Sequence, residues 1–308
     1  MQKRSALLGL AVLVATAASL QASSENIAWV SFHPGDNQPS AAVVQLGFTQ
    51  APDAPYTQLL SAQGYNVTRF VTQDNAPSAL INALNTNDLV IISRSVASAH
   101  YQSPSETLAW NSQITKPMMI LGGYVLRDNR LGFVTGTTIP DTANKIRLEV
   151  LQPAHPIFAG IALDANNVMV NEYAQIVNVF VPNWGSNVVQ LGISVVTDPL
   201  DGGGTLLARI ASADAGPVGG TRIIIGEWPA GATLTPGGRS DVLGGPRMVF
   251  LTGSREAEGF TFEAAGFYDL VGDGPQLFLN AVAYMIPEPS SLGLLLLGGL
   301  PLLLWRRR

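Results

Sequence analysis

From Asn26 to Gly123 the chain alternates short apolar runs with stretches of helical period. The runs are NIAWVSF (Asn26 to Phe32), YNVTRFV (Tyr65 to Val71), NDLVIIS (Asn87 to Ser93) and KPMMILGG (Lys116 to Gly123). Runs of this length, apolar on both faces, fit strands of a parallel sheet buried between helices. The intervening stretches are DAPYTQLLSAQG to Gly64, APSALINALN to Asn85 and SPSETLAWNSQI to Ile114. They open at a Pro, Asp or Ser, and the first two stop at Gly or Asn, which is helix punctuation. This alternation predicts right-handed crossovers and an α/β fold with an open, doubly wound, mostly parallel sheet of the flavodoxin-like kind.

After Arg130 the pattern changes to brief β-like runs separated by Gly, Pro, Asn and Asp: KIRLEVL, NNVMVNEY, QIVNVFV, NVVQLG, TLLARIA, TRIIIGEW and RMVFLTG. Two or three of these are expected to extend the parallel sheet, the rest forming extra β-hairpins or an antiparallel insertion. DGGGT (Asp201 to Thr205) lacks the Lys and Ser/Thr order of a phosphate loop and reads as a hairpin turn. A helix from about Gly274 to Met285 places Leu277, Phe278, Ala281, Val282 and Met285 at helical spacing and closes the domain. There is no internal repeat and no long low-complexity linker.

Both ends are apolar. Lys3 and Arg4 lead into an apolar run from Ala6 to Ala18 and then small and polar residues to Ser24. That is the order of a secretory signal, expected over residues 1–22, the alternative being a permanent anchor. Cleavage after Ala22, or earlier after Ala17 or Ala18, fits equally, and the fold starts near Glu25. Leu292 to Leu304 would span only about 20 Å of a hydrocarbon core about 30 Å thick. With Trp305 at the interface it is expected to be a short transmembrane segment over 291–305. Arg306, Arg307 and Arg308 hold that end in the cytoplasm and put the domain, residues 25–285, on the other side.

Pro287-Glu288-Pro289, the apolar stretch and the arginine cluster together resemble the PEP-CTERM sorting signal of Gram-negative bacteria, over about the last two dozen residues. The resemblance implies an exosortase as processing partner, a membrane-held stage before processing, and a place at the cell surface or in a biofilm and exopolysaccharide matrix. The globular part, with HPIFAGI (His155 to Ile161) and the final LFLNAVAYM, resembles the ThuA-like branch of the class I glutamine amidotransferase-like superfamily. Relatives of that kind carry a Cys on the turn after a central strand, here the LGGYVLRD region, and a later His and Glu. ThuA-like members carry a His after that strand and a Gly-His near the last one. Here Arg127 and LTGSRE (Leu251 to Glu256) stand in those neighbourhoods.

Composition narrows the chemistry. Charged residues are 13% of the chain, against about 25% in an average soluble protein, and the net charge is -5. With no internal basic cluster, nucleic acid is not an expected partner. There is no Cys, so thiolate catalysis, Cys-ligated zinc and iron-sulfur clusters are eliminated, and no cofactor is expected.

Ligands of open α/β sheets sit beyond the carboxyl ends of the strands. The residues there are Ser31, His33 and Asp36 after the first run; Ser93, Arg94, Ser95 and His100 after the third; and Tyr124, Arg127, Asp128 and Arg130 after the fourth. His33, Asp36, Ser93, Arg94, His100, Tyr124 and Arg127 form the candidate crest for a sugar or an anion. The alternative is that His33-Pro34-Gly35-Asp36 is only a turn and that the arginines are solvated or paired. Glu172, Glu227 and Glu256 are candidate acid and base carboxylates, Trp184 and Trp228 candidate stacking rings, and His155 a turn residue or ligand contact. Two functions follow. One is an exported, non-catalytic domain that binds a carbohydrate or matrix partner. The other is a sugar-acting enzyme, metal-assisted through His33, Asp36 and His100.

Overall fold

The structure is a computed structural model and describes residues 25–286. The expected signal peptide and the sorting tail with Pro287, Glu288, Pro289 and Arg306 to Arg308 lie outside the described residues. Among the described residues no helix is long and apolar enough to cross a membrane. The expected segment 291–305 is not among them.

The strands in chain order are β1 (Asn26–Ser31), β2 (Asn66–Val71), β3 (Leu89–Ile92), β4 (Met118–Ile120), β5 (Leu148–Val150), β6 (Asn178–Val181), β7 (Ser186–Val189), β8 (Thr205–Ile210), β9 (Ile223–Trp228), β10 (Thr233–Leu234), β11 (Asp241–Val242) and β12 (Arg247–Phe250). The α-helices are α1 (Ala41–Val44), α2 (Ala54–Ala62), α3 (Ser78–Leu84), α4 (Pro104–Leu108) and α5 (Gly274–Met285). Eight strands form one sheet in the order β2-β1-β3-β4-β12-β9-β8-β5. The first five pair in parallel, with β1 meeting β2 from Asn26↔Asn66 to Ser31↔Val71 and β3 from Ile27↔Leu89 to Val30↔Ile92.

All four runs predicted as parallel strands are strands. Burial divides them: every residue of β3 is fully buried, whereas β2 is half-exposed throughout because it is the sheet edge. The chain moves outward from β1 to β2 and back across β1 to β3, so right-handed crossovers put α2 on one face and α3 with α4 on the other. Aromatic packing agrees. Tyr56 of α2 stacks on Trp29 of β1 with ring centroids 5.9 Å apart and meets Phe278 of α5 at 5.7 Å.

The second half departs from expectation. Only β12 adds in parallel, beside β4; β9, β8 and β5 continue antiparallel. Parallel neighbours need a long crossover connection; the stretch from Ile120 to Arg247 supplies one for β12, whereas the short link from β8 to β9 returns the chain antiparallel. β6 and β7 form the expected hairpin, β10 and β11 a second small pairing, while Asn166 to Tyr173 makes only isolated bridges at Val168 and Met169. DGGGT is a tight turn into β8, with the Gly204 N–H donating to the Asp201 carbonyl at 3.2 Å, and joins no hairpin.

Local chemistry sets the boundaries on the α4 side. Ser103 and Glu106 form a capping box at the start of α4. The helix widens into a π turn over Ala109–Gln113, whose last carbonyls meet an internal cation. Arg247 of β12 is fully buried and donates to the carbonyls of Trp110, Asn111 and Ile114 at 3.3, 2.8 and 2.6 Å, and to those of Lys116 and Pro246 at 3.1 Å. One side chain thereby satisfies the helix-end carbonyls of Trp110 and Ile114 and shares that of Asn111 with the Gly244 N–H.

Candidate functional site

The reversal of strand order between β1 and β3 is filled by a closed polar network centred on Asp53, at the start of α2. Its Oδ2 accepts from Trp29 Nε1, Ser31 Oγ and Ser93 Oγ at 2.9, 2.8 and 2.7 Å, and its Oδ1 accepts from Arg69 at 2.9 Å. Burial alone would raise this carboxyl; the Arg69 guanidinium, with His33 and the Ser93 and Trp29 donors, outweighs burial and holds it below the usual value. Ser31 and Ser93 are therefore structural donors.

His33 and Ser95 lie beside this network and resemble a catalytic pair. The geometry blocks that use. The Ser40 N–H donates to His33 Nδ1 at 3.0 Å, so the ring proton sits on Nε2, which donates to Ser95 Oγ at 3.0 Å. Ser95 in turn donates to the Glu263 carbonyl at 3.2 Å. A general base for Ser95 needs its lone pair at Nε2. Burial, foremost, also pulls the His33 pKa down and keeps the ring neutral.

The open site stands one step along the crest, at the carboxyl ends of β3, β4 and β12. A pocket of about 320 Å³ is lined by Arg94, Val96, Ala97, Ser98, Ala99, Tyr124, Arg255, Glu256 and Phe262. Three guanidiniums surround the Tyr124 ring: Arg94 and Arg127 at 5.1 Å from its centroid and Arg255 at 5.7 Å. Asp141 accepts from Arg255 at 2.8 Å, whereas Glu256 meets Arg94 only at 3.4 Å. Arg127 donates to the Tyr124 carbonyl and to Ser98 Oγ, fixing the wall. Burial, foremost, lowers the pKa of Arg94, and Glu256 opposes it; a guanidinium remains charged regardless.

The crest residues thus separate. Arg94, Tyr124 and Arg127 come together. Asp36 turns to the β2 edge, where it binds Arg69 at 2.6 Å and Thr57 at 2.7 Å. His100 pairs with Thr72 Oγ1 at 3.0 Å. No group of three or more His, Asp or Glu able to hold a metal occurs among the described residues. His33, Asp36 and His100 do not come together as a metal site: they meet Ser40 and Ser95, Arg69 and Thr57, and Thr72 respectively. His155 accepts from the Ile157 N–H as a turn cap and lies 3.5 Å from Glu227, on β9, whose antiparallel course ends it at the amino ends of the parallel strands, away from the crest. Glu172 faces Lys145. The three glutamates therefore form no pair. Trp228 is buried with its indole donating to the Asp201 carbonyl, whereas Trp184 is exposed.

Arg255 and Phe262 were missed as site residues, although Arg255 lies inside the LTGSRE segment. Asp269, also missed, holds the turn after β12 that leads to Arg255 and Glu256. It is fully buried and accepts from Thr252 Oγ1 at 2.7 Å, the Gly253 N–H at 3.0 Å and Tyr56 at 3.1 Å, while its Oδ2 has no partner. Gly253, at φ +83, packs directly on the Arg94 stem. Burial, foremost, pushes the Asp269 carboxyl up to about 6 from 3.8. Its contribution therefore favours folding below about pH 4 and is lost as pH rises through about 6. Asp269→Asn is expected to gain about 3 kcal/mol on the wild type between pH 4 and pH 8. Urea unfolding at both pH values measures it, and a constant difference between the proteins refutes it.

No protein-family profile and no curated protein matches the chain. Among solved structures it is similar to a cytoplasmic protein of Salmonella typhimurium, with 11% identity and a TM-score of 0.43 over 84% of this chain and 98% of that one. It is also similar to a protein of Thermoplasma acidophilum described as a GMP synthase subunit, with 11% identity and a TM-score of 0.39 over 85% and 94% of the two chains. Likeness this loose carries no argument about activity.

Proposed function

We propose that this chain is an exported, non-catalytic binding protein of amidotransferase-like ancestry, sorted through its Pro287-Glu288-Pro289 tail by an exosortase, whose crest pocket holds a carbohydrate of the extracellular matrix. The observation that carries the reading is the make-up of that pocket: guanidiniums, one carboxylate, a serine hydroxyl and an exposed phenyl ring, with no histidine in its wall. These groups bind and orient a hydroxylated ligand. A further support lies on the turn after β4, where the amidotransferase relatives place their nucleophile. Here Gly122 and Gly123 occupy it, and a Cβ on Gly123 would collide with the Ser194 carbonyl. The apolar, Arg- and Lys-flanked segments at the two ends support export.

The test recovers the protein from its host with and without the exosortase, measures its intact mass, and presents it to a saccharide array with product analysis. Expected are a mature form ending near Pro287 or Pro289 only when the exosortase is present, and saccharide binding without turnover. A full-length end in both strains overturns the sorting. Hydrolysis or isomerisation of a bound sugar overturns the non-catalytic assignment.

A further inference from the structure

Two hollows flank the Arg255–Glu256 pair. One is the crest pocket of about 320 Å³. The other, about 470 Å³, has Leu191, Glu258 and Phe260 in its wall and shares Arg255 and Glu256 with the first. The shared wall makes them neighbours. Phe262, 57% exposed, lines the crest pocket, and Trp184, 47% exposed, lies behind the second hollow, edge-on to its wall residue Phe260 with centroids 5.0 Å apart. Rings left in water at this cost gain by covering the apolar face of a sugar.

The polar groups define what kind of sugar. Arg94 is only 7% exposed, its Nε has no partner, and its one carboxylate contact is the long one to Glu256. A guanidinium desolvated to this degree with donors to spare is completed by a bidentate carboxylate. Arg255 Nε likewise has no hydrogen-bond partner, with Glu256 3.8 Å away. Glu256 and Glu258 stand among these cations and accept hydroxyl protons. A polyacidic peptide would set its own carboxylates against those two glutamates. A saccharide with one carboxylate per repeat and hydroxyls between matches the alternation.

We infer that the two hollows form one binding track for a uronic-acid polysaccharide, with a sugar carboxylate on Arg94 and the chain continuing past Arg255 and Glu256 to Trp184. This rests on the saccharide-binding function proposed above and names its ligand class.

The test titrates the full chain calorimetrically with galacturonate, glucuronate and mannuronate as monosaccharides and hexamers, with methyl-esterified hexamers, a neutral glucose hexamer and polyglutamate. At least one acidic hexamer is expected to bind about 10-fold or more tighter than its monosaccharide, and esterification to weaken it about 10- to 100-fold. Arg94→Gln is expected to remove the preference for acid over ester. Trp184→Ala is expected to weaken the hexamer about 5-fold and leave the monosaccharide unchanged. Trp184→Ala and Phe262→Ala change exposed positions, so they decide the matter even where Arg94→Gln fails to fold. Equal affinity for acid, ester and neutral hexamers overturns this inference and leaves the binding function standing. Equal affinity for monosaccharide and hexamer reduces the track to one pocket and overturns it too. Polyglutamate binding as tightly as the acidic hexamers reassigns the site to an acidic peptide. Failure of every saccharide to bind sinks both.

Discussion

Asp53→Ala is expected to cost the fold about 4 kcal/mol, because it strips the partner from Arg69 and from three buried donors at once. Arg69 would keep Asp36, which is partly exposed, and lose its fully buried partner. Asp53→Asn is expected to cost about half as much, since its oxygen still accepts from some of the donors while the ion pair is gone. The pH dependence gives an independent check. Burial would raise the Asp53 carboxyl, but Arg69 foremost, then His33 and the donors, holds it below its ordinary 3.8. Its stabilisation is therefore present above about pH 4 and is lost as pH falls through the lower folded value. The gap between wild type and Asp53→Asn should narrow in that acid range and stay flat from pH 5 to 8. Chemical denaturation of the three proteins measures all of this, and a loss below about 1 kcal/mol for Asp53→Ala would show that the network does not hold the sheet.

Arg247→Met is expected to cost about 3 kcal/mol. Two effects compete. The guanidinium is buried with no carboxylate beside it, and burial pushes its pKa down to about 9, so its removal relieves a desolvated charge. Against this, the carbonyls of Trp110 and Ile114 lose their buried donor, at about 1 to 3 kcal/mol for each acceptor left unsatisfied, while the Asn111 carbonyl keeps the Gly244 N–H. Two such acceptors outweigh one partly compensated charge. Arg247→Lys should fall between wild type and Met, because an ammonium offers fewer donors and no planar fork. Thermal unfolding with protection of the 109–114 amides as a second readout separates the outcomes. A Met variant as stable as wild type would mean that these carbonyls find other donors.

Periodicity was a good guide where one element alone decided the structure. NDLVIIS is apolar throughout and became the fully buried β3, and the stripe from Leu277 to Met285 became α5 with the expected bounds. YNVTRFV has much the same β-forming composition yet lies at the sheet edge, since its place depends on which strand it meets rather than on its own residues. The site was legible in half-measure for the same reason. Arg94, Tyr124 and Arg127 follow β3 and β4, which are paired neighbours, and they converge. His33, Asp36 and His100 follow strands too, but backbone N–H groups, Arg69 and Thr72 took them first.

The order of residues was enough to establish that β1 to β4 alternate with helices, that α5 closes the domain, and that no thiol chemistry is available. These are properties of local period and residue inventory, which one segment expresses without reference to the rest. It took the folded chain to bring β12 beside β4 and so carry Arg255 and Glu256 to Arg94, 161 and 162 positions earlier in the chain. Folding also buried Asp53 and Asp269 and left the Ser95–His33 pair holding its proton the wrong way round for catalysis. Such outcomes depend on which distant groups share a low-dielectric interior, and no local pattern encodes that.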